Sequence, residues 1–403
     1  MSLKTAKQKN LALVLSAGFA MFSMFFGAGN LVYPLTIGAE VGVHYPVAII
    51  GFTIAGVLVP FLGLLAIVNA ERSYEVFFSI LGKYGGFLIP LMLMLLIGPF
   101  GGTPRVITVA YGSFLTLFPN MNVYAYAAIS GLIIYFLVFD RTQLVSNIGN
   151  FLTPFLLASL VCIIALGIYH GDNSQYVPDA GLRGSFVHSL QEGYQTMDLL
   201  ATYFFAIILI NYIQTKAGPD ASEHSINRLI IKALLLGTFL LSFIYVAFIY
   251  LGSHYSQVVL QSSPDQALSI LAHHLMGPYA APMVCVAYIL ACLTTAVALV
   301  SAFSEFIYEN IFMERIPMNI CIIATIVISC LISTLRFQGV VAYLGPVVQA
   351  MYPGLIVITL LSLLGRYFIF PYAKQLFYII FMANIFYVYA TFKLQVRHGL
   401  NFF

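Results

Sequence analysis

Long apolar segments separated by short polar clusters run along the whole chain. Eleven of them have about the 20 residues that a helix needs to cross a bilayer. They span residues 10–36, 45–70, 86–118, 122–139, 150–169, 188–213, 229–252, 277–305, 317–335, 340–364 and 372–391. The pattern predicts an all-α polytopic membrane protein with about eleven transmembrane helices. A short re-entrant stretch near 365–373 would change the count, and twelve helices is the alternative.

Three of the predicted spans are interrupted by residues that do not favour a regular helix. The first is interrupted at Gly27–Asn30, the third from Gly98 to Pro104, and the sixth around Gly193–Asp198. Within a membrane, irregular backbone is tolerated only where it is buried in protein or lines a watery cavity. These interruptions are therefore the candidate functional sites, and we expect helices 1 and 6 to be broken near mid-depth.

The spacing of the two broken spans indicates an internal repeat. Spans one and six lie five spans apart, so matching helices of successive five-span units would have opposite orientations, as in transporters with inverted repeats. We predict one membrane domain over 1–403, with a first inverted repeat at 10–170, a second at 188–364 and a peripheral C-terminal helix and tail at 365–403.

Composition excludes several classes of protein. Of the 403 residues, 61% are apolar and 8% are charged, whereas a water-soluble protein has about 25% charged residues. A net charge of +3 is too small to indicate nucleic acid binding. The five cysteines lie in apolar runs without a metal-ligand spacing. Because no nucleotide, zinc or nucleophile motif is present either, we predict that the chain is not an enzyme.

Lysine and arginine are distributed unequally between alternate loops. With the N-terminus inside the cell, twelve of these residues fall in inside loops and four in outside loops, while Arg105 lies within a span. Positive residues favour the cytoplasmic side of a membrane. We therefore predict a multi-pass protein of the cell (inner) membrane with a cytoplasmic N-terminus.

The first interruption carries the sequence Gly27-Ala28-Gly29-Asn30. Glycine permits the helix to unwind, and the freed amides at the start of the outer half-helix can hold a carboxylate. Carbonyls at the end of the inner half-helix can hold a cation by the reverse argument. The alternative is a small-residue surface on which a neighbouring helix packs closely.

Two charged residues lie deep within spans. Asp198 in the sixth span lies roughly 15 Å from the outer edge, and Arg105 lies at depth in the third. A charge at such depth marks a functional site by default. We expect Asp198 either to contact a ligand or to cap the inner half-helix. Arg105 is expected to be a gate or a clamp for a substrate carboxylate, or else a structural ion pair with Asp198 or a side chain extended towards an aqueous vestibule.

Two adjacent hydroxyls, Thr294 and Thr295, lie in the eighth span. With nearby carbonyls they supply the hard oxygen ligands that a small alkali cation needs. The alternative is that each hydroxyl bonds the backbone of its own helix, as threonine usually does in a membrane.

Four stretches together resemble the branched-chain amino acid:cation symporter family of the BrnQ type, in the APC superfamily. They are Phe25–Pro34, Ile97–Arg105, Gly193–Ala201 and Ala291–Ala296. The resemblance implies a LeuT-type fold with two inverted five-helix repeats. It also implies import of leucine, isoleucine or valine together with Na⁺ or another cation.

The resemblance further implies which residues form the two sites. The substrate would lie between the breaks in helices 1 and 6, against Gly27, Ala28, Gly29, Asn30, Tyr194, Thr196, Met197 and Asp198. The cation would lie between helices 1 and 8, held by the carbonyls of Ser23, Phe26 and Ala291 and the hydroxyls of Thr294 and Thr295. One departure from the family is Gly112, where we expect an acidic residue.

Our leading hypothesis is a secondary active transporter of branched-chain amino acids that works by alternating access. The preference among the three substrates, the choice of Na⁺ or H⁺, and the oligomeric state are left open by the sequence. Two alternatives are a membrane receptor or sensor that binds an amino acid without moving it, and a symporter of another small apolar amino acid coupled to H⁺. The expected partners are the amino acid substrate and membrane lipid, without nucleic acid.

Overall fold

The computed structural model describes residues 3–139, 153–171, 176–218, 221–277, 280–365 and 372–398, and these ranges are mostly helical. The first nine helices are α1 (Leu3–Phe25), α2 (Ala28–Val41), α3 (Tyr45–Thr53), α4 (Val59–Asn69), α5 (Tyr74–Ser79), α6 (Gly82–Ile97), α7 (Gly102–Leu115), α8 (Val123–Phe139) and α9 (Thr153–His170). The second nine are α10 (Leu182–Tyr194), α11 (Asp198–Ala217), α12 (Glu223–His254), α13 (Ser256–Leu260), α14 (Ala267–Met276), α15 (Ala280–Asn310), α16 (Met318–Ser333), α17 (Arg336–Leu364) and α18 (Ala373–His398).

The predicted spans coincide with these helices wherever the structure describes them. Among the described residues, eight helical segments are long and apolar enough to cross a membrane, judged by length and composition. Shorter apolar helices lie in α8, α14 and α16. The prediction of an all-α polytopic protein is confirmed. The stretch 365–373, where a re-entrant segment would alter the number of spans, lies mostly outside the described residues.

Three spans are interrupted between two helices, as the sequence predicts, whereas a π-helical segment, Ile54–Leu58, joins α3 to α4 without a break. The first consists of α1 and α2, the third of α6 and α7, and the sixth of α10 and α11. The interruptions of the first and third spans are shorter than expected, since Ala28–Asn30 belongs to α2 and Pro104 to α7. Proline is tolerated in the first turn of a helix because the amide there needs no intrahelical partner.

The first and sixth spans, both broken, have equivalent packing partners. Both α1 and α2 pack against α12, the seventh span, whereas α10 and α11 pack against α3 and α4, the second span. Partners five spans apart are the arrangement that two five-span repeats would give. The exact division into 10–170 and 188–364 stays a prediction.

The helices at the centre and at the edge of the bundle differ in burial. Between Ala28 and Val41, α2 is almost entirely buried, and its backbone touches that of α12 where Gly38 faces Ile249. By contrast, only 11% of the apolar window of α18 is buried within the protein. This peripheral helix packs on α17 and presents large apolar side chains outwards, as expected of a helix in contact with lipid.

Candidate functional site

The break in the first span leaves backbone amides free at the start of α2. The amide of Gly27 donates to Oδ1 of Asn30 over 3.1 Å, and the amide of Leu31 donates to the carbonyl of Gly27. Within the described part of the chain, no hydrogen-bond acceptor meets the amides of Ala28, Gly29 and Asn30. Because these amides form the positive end of a helix dipole, they suit an anionic group such as a carboxylate.

Gly27 is required by a close contact at the same break. A Cβ atom there would lie 2.8 Å from Cγ2 and Oγ1 of Thr295. Cβ atoms in proteins essentially never come this close to another residue's heavy atoms. The absence of a side chain therefore lets α1 and α15 come together at the point where the first span unwinds.

The break in the sixth span centres on a strained residue. Met197 has a φ of +64°, in the left-handed region, which costs a non-glycine residue about 1–2 kcal/mol. The neighbouring Thr196 hydroxyl donates to the carbonyl of Gly193 over 2.9 Å and accepts the amide of Asp198 at 3.4 Å. The conformation is thus held by hydrogen bonds at both ends of the turn.

The carboxylate of Asp198 connects three spans. It is 2% exposed, and both of its oxygens accept from Nδ2 of Asn30, at 3.0 and 2.9 Å. The hydroxyl of Tyr245 in α12 donates to Oδ2 over 2.8 Å and also accepts from the side-chain Nδ2 of Asn30. These contacts give Asp198 a role other than the two expected, ligand contact and capping of the inner half-helix: it anchors the two breaks to each other.

The buried guanidinium of Arg105 caps the end of α10. Nη1 donates to the carbonyl of Gln195 over 2.5 Å, and Nη2 donates to that of Thr196 over 3.2 Å. The group lies 5.7 Å from the centroid of the Tyr33 ring, whereas its Nε has no hydrogen-bond partner in the described structure. Gly29 leaves room for it, since a Cβ there would lie 2.9 Å from Nη2.

The expected ion pair between Arg105 and Asp198 is not formed. In the ranges that the structure describes, the ion pairs within 4.0 Å are Arg72–Glu223 and His188–Glu40. The guanidinium instead neutralises the carbonyl end of α10, and protein donors surround the carboxylate. Equal depth and opposite charge predicted this pair, but depth does not fix the direction in which a side chain points.

Hydroxyls and carbonyls from helices 1 and 8 meet beside the first break. Oγ of Ser23 donates to Oγ1 of Thr294 over 3.2 Å. The carbonyl of Ser23 accepts from Thr294 at 3.4 Å and from Thr295 at 3.3 Å, and Thr294 also lies 2.9 Å from the carbonyl of Ala291. Four of the five predicted cation ligands are therefore together. Phe26, the fifth, lies directly before Gly27 in the same break.

This donor set fits an alkali cation better than a transition metal. It consists of neutral oxygens, the ligands that hard cations prefer, and sits at the carbonyl end of a half-helix. Among the described residues, no cluster of three or more His, Cys, Asp or Glu side chains could hold a metal ion.

A small central cavity of about 30 Å³ lies between the two breaks. Residues of the two breaks line it, together with Arg105 and Thr295: Gly27, Ala28, Gly29, Asn30, Thr196, Met197 and Asp198. The rest of its wall is apolar and consists of Met24, Phe25, Ile97, Gly102, Val106, Ala201, Phe205 and Leu299. All predicted substrate residues except Tyr194 line the cavity. A cavity of this size holds a water molecule or two rather than an amino acid, so the site is contracted in this conformation.

A second cavity lies on the side of the molecule that carries α5, the side predicted to be cytoplasmic. Its volume is about 270 Å³, and its wall includes Ala302 and Glu305. The rings of Phe25 and Phe205, 5.4 Å apart, line the central cavity but not the second one. Leu299 lines the central cavity and Ala302 the second one, so the cavities are about one helical turn apart along α15.

The structure places a carboxylate beside Gly112, the position at which the resemblance led us to expect an acidic residue. Asp265, in the loop between α13 and α14, places its Oδ2 against Gly112, in the space that a side chain there would occupy. Close by, the hydroxyls of Ser113 and Ser269 are 2.8 Å apart. Burial raises the pKa of the Asp265 carboxyl. The loop after the seventh span is thus fastened to α7.

Sequence reasoning missed three residues of the site: Gln195, Tyr245 and Tyr352. The hydroxyl of Tyr352 in α17 accepts the amide of Leu199, and its ring stacks on Tyr194. Nothing distinguishes the two tyrosines among the 26 of the chain. For Gln195, the available signal is that a polar residue lies directly before Thr196 within an apolar span.

The sequence has relatives among known transport proteins. A family model described as branched-chain amino acid transport protein matches residues 10–400. The branched-chain amino acid permease BraB of Bacillus subtilis is 30% identical over 369 residues, which cover 87% of this chain and 80% of that protein. The permease BrnQ of Corynebacterium glutamicum is 30% identical over 358 residues, with the same two coverages. These relatives are permeases and not enzymes.

Several solved structures share the fold. The inward-facing conformation of Mhp1 is similar with a TM-score of 0.58 and 18% identity, over 87% of this chain and 77% of that one. MhsT in complex with L-phenylalanine is similar with a TM-score of 0.57 and 13% identity, over 91% of this chain and 98% of that one. A Na⁺-coupled sialic acid symporter is similar with a TM-score of 0.57 and 13% identity, over 88% of this chain and 85% of that one. The predicted LeuT-type fold is confirmed.

Proposed function

The chain belongs to the family of branched-chain amino acid transport proteins, and we propose on this premise that it imports leucine, isoleucine or valine. Transport occurs in symport with Na⁺ by alternating access. The central observation is that the oxygen cluster of helices 1 and 8 adjoins a cavity lined by both broken helices. A substrate and an ion would share the first break.

The substrate carboxylate binds at the start of α2. The amides of Ala28, Gly29 and Asn30 have no acceptor in the described structure, whereas at the start of α11 the amides of Asp198 and Leu199 already have one each. Of these two helix starts, that of α2 therefore offers the larger set of free donors in the described structure. The unpartnered Nε of Arg105, whose side chain lines the same cavity, adds a positive charge to this end.

The ammonium group and the side chain of the substrate are accommodated on the other sides of the cavity. The carbonyl end of α1 carries the negative end of its helix dipole and faces the ammonium. The aliphatic side chain packs against the apolar wall, where Val106, Phe205 and Leu299 come from three different spans. An apolar wall rewards each additional buried methylene group by about 0.8 kcal/mol, which favours branched-chain substrates over alanine.

Na⁺ couples to the substrate by joining helix 1 to helix 8. The ion binds the carbonyls of Ser23, Phe26 and Ala291 and the hydroxyls of Thr294 and Thr295. Since the ligands come from two helices, the ion favours the conformation in which these helices are close, and this differential affinity is what coupling requires. The shared fold with a Na⁺-coupled symporter supports this choice of ion.

Uptake of labelled leucine into proteoliposomes tests the proposal. An inward Na⁺ gradient should accelerate uptake compared with K⁺ on both sides, and unlabelled isoleucine and valine should compete. If neither a Na⁺ nor an H⁺ gradient stimulates uptake, symport is refuted. If leucine binds but shows no counterflow, the protein is a receptor.

A variant with a matched control tests the ion site. Thr294→Val combined with Thr295→Val removes both hydroxyls and should raise the Na⁺ concentration for half-maximal uptake about tenfold or more. The control is Thr325→Val in α16, whose buried hydroxyl lies 2.6 Å from the carbonyl of Cys321 on its own helix. Equal Na⁺ dependence in the two variants would refute the assignment.

A further inference from the structure

Helix α17 belongs to none of the interrupted spans, yet it contacts the break in the sixth span on both sides. At the end of α10, Nε2 of Gln195 donates to the carbonyl of Gly345 over 3.4 Å. At the start of α11, the amide of Leu199 donates to the hydroxyl of Tyr352 over 3.1 Å. The two contacts therefore lie on either side of Thr196 and Met197, in the non-helical stretch between α10 and α11.

Tyr352 forms the stronger of these two contacts. Its side chain is fully buried, so water cannot replace the hydroxyl as the partner of the Leu199 amide. Its ring also stacks on that of Tyr194, the last residue of α10, with centroids 4.6 Å apart and planes at 24°. One side chain thus holds the last residue of α10 and the second residue of α11.

The geometry of α17 suits it to this task. Gly345 and Tyr352 are seven residues apart, so they share one face of the helix and lie about 10.5 Å from each other along its axis. Each is followed directly by a proline, Pro346 and Pro353. A proline removes one intrahelical hydrogen bond and permits a bend. The two places where α17 can bend are therefore the two places where it touches the break.

We propose that Tyr352 is a positioning residue for the substrate site. By accepting the Leu199 amide and stacking on Tyr194, it keeps the first turn of α11 aligned with the end of α10. A movement of α17 is thereby passed to Thr196 and Asp198, which line the central cavity. The consequence for substrate affinity rests on the function proposed above, whereas the effect on the geometry of the break does not.

Tyr352→Phe tests the proposal because it keeps the stacked ring and removes only the hydroxyl. The matched control is Tyr203→Phe at the same interface between α11 and α17. The hydroxyl of Tyr203 is also fully buried and lies 2.9 Å from Oγ1 of Thr359. Both variants lose one buried hydrogen bond between the same two helices, but only one loses it at the break.

We expect Tyr352→Phe to raise the KM for leucine about fivefold to tenfold, the equivalent of one neutral hydrogen bond, with the maximal rate nearly unchanged. Tyr203→Phe should leave KM within about twofold. A second readout needs no substrate: a cysteine introduced at Ala201, which lines the central cavity, should be labelled at a different rate in Tyr352→Phe only. Equal changes in the two variants, in KM and in labelling, would overturn the proposal. A labelling difference without leucine transport would refute the proposed function and leave the positioning role intact.

Discussion

Tyr245→Phe is the sharpest test of how the two breaks are held together. The hydroxyl donates to Oδ2 of Asp198 over 2.8 Å, and the tyrosine is fully buried, so water cannot take its place. Loss of a hydrogen bond to a charged group costs about 1.5–3 kcal/mol. The substitution should therefore lower the stability of the protein without bound leucine by roughly this amount, while the ring keeps its edge contact with Phe52.

Asp198→Asn perturbs the same network from its centre. An asparagine presents one amide group where the carboxylate has two accepting oxygens, and Nδ2 of Asn30 currently meets both of them. At least one of these bonds becomes a contact between two donors, and the charge of the remaining bonds is lost. We expect a loss of stability greater than that of Tyr245→Phe, together with loss of transport.

Thermal unfolding followed with a thiol-reactive dye measures both effects. The five free cysteines lie largely within the protein, so the dye reports the loss of packing around them. If Asp198→Asn leaves the melting temperature of the leucine-free protein unchanged but abolishes leucine binding, the carboxylate contacts the substrate, and our assignment of an anchoring role is wrong.

Three further predictions concern the surroundings of the site. Arg105→Lys keeps the charge but cannot donate to both carbonyls as the guanidinium does, so the Kd for leucine should rise about tenfold or more, as measured by equilibrium binding. Gly27→Ala introduces a methyl group 2.8 Å from Thr295, and the Na⁺ concentration for half-maximal uptake should increase while a control, Gly181→Ala, where a Cβ meets no atom within 4 Å, should not change it. Burial raises the pKa of Asp265, so stability falls as pH rises through that pKa. Asp265→Asn should remove this loss, so its melting temperature relative to that of the unsubstituted protein should be higher above the raised pKa than below the ordinary carboxyl pKa of 3.8.

The sequence predicts the breaks because glycine and polar residues are conspicuous within apolar spans. Gly27–Asn30 and Gly193–Asp198 stand out in this way, and both mark true interruptions. The same logic does not find Tyr245 or Tyr352, since a tyrosine contributes to an apolar pattern whether or not its hydroxyl has a partner. Their roles depend on how α12 and α17 are rotated, which the pattern of each helix alone does not determine.

Resemblance and geometry contributed differently to the two predicted sites. The two adjacent hydroxyls Thr294 and Thr295 are predicted from the residues themselves, and Ser23 and Ala291 from the family resemblance. The structure brings the oxygen atoms of all four together. The pairing of Arg105 with Asp198 follows from depth and charge, and it is wrong because Arg105 bonds backbone carbonyls while Asp198 bonds the side chains of Asn30 and Tyr245. Position along the membrane normal is one coordinate out of three.

The oxygen cluster beside Gly27 is already satisfied by its own hydrogen bonds, because the carbonyl of Ser23 accepts from both threonines. A cation that binds there must replace these two bonds rather than fill an unsatisfied shell. At about 1 kcal/mol each, this competition weakens the equilibrium affinity roughly thirtyfold. A weaker complex dissociates sooner, so the ion can leave on the side where its concentration is low. In the proposed mechanism, the hydroxyls that bind the ion would thereby also set how quickly each cycle can end.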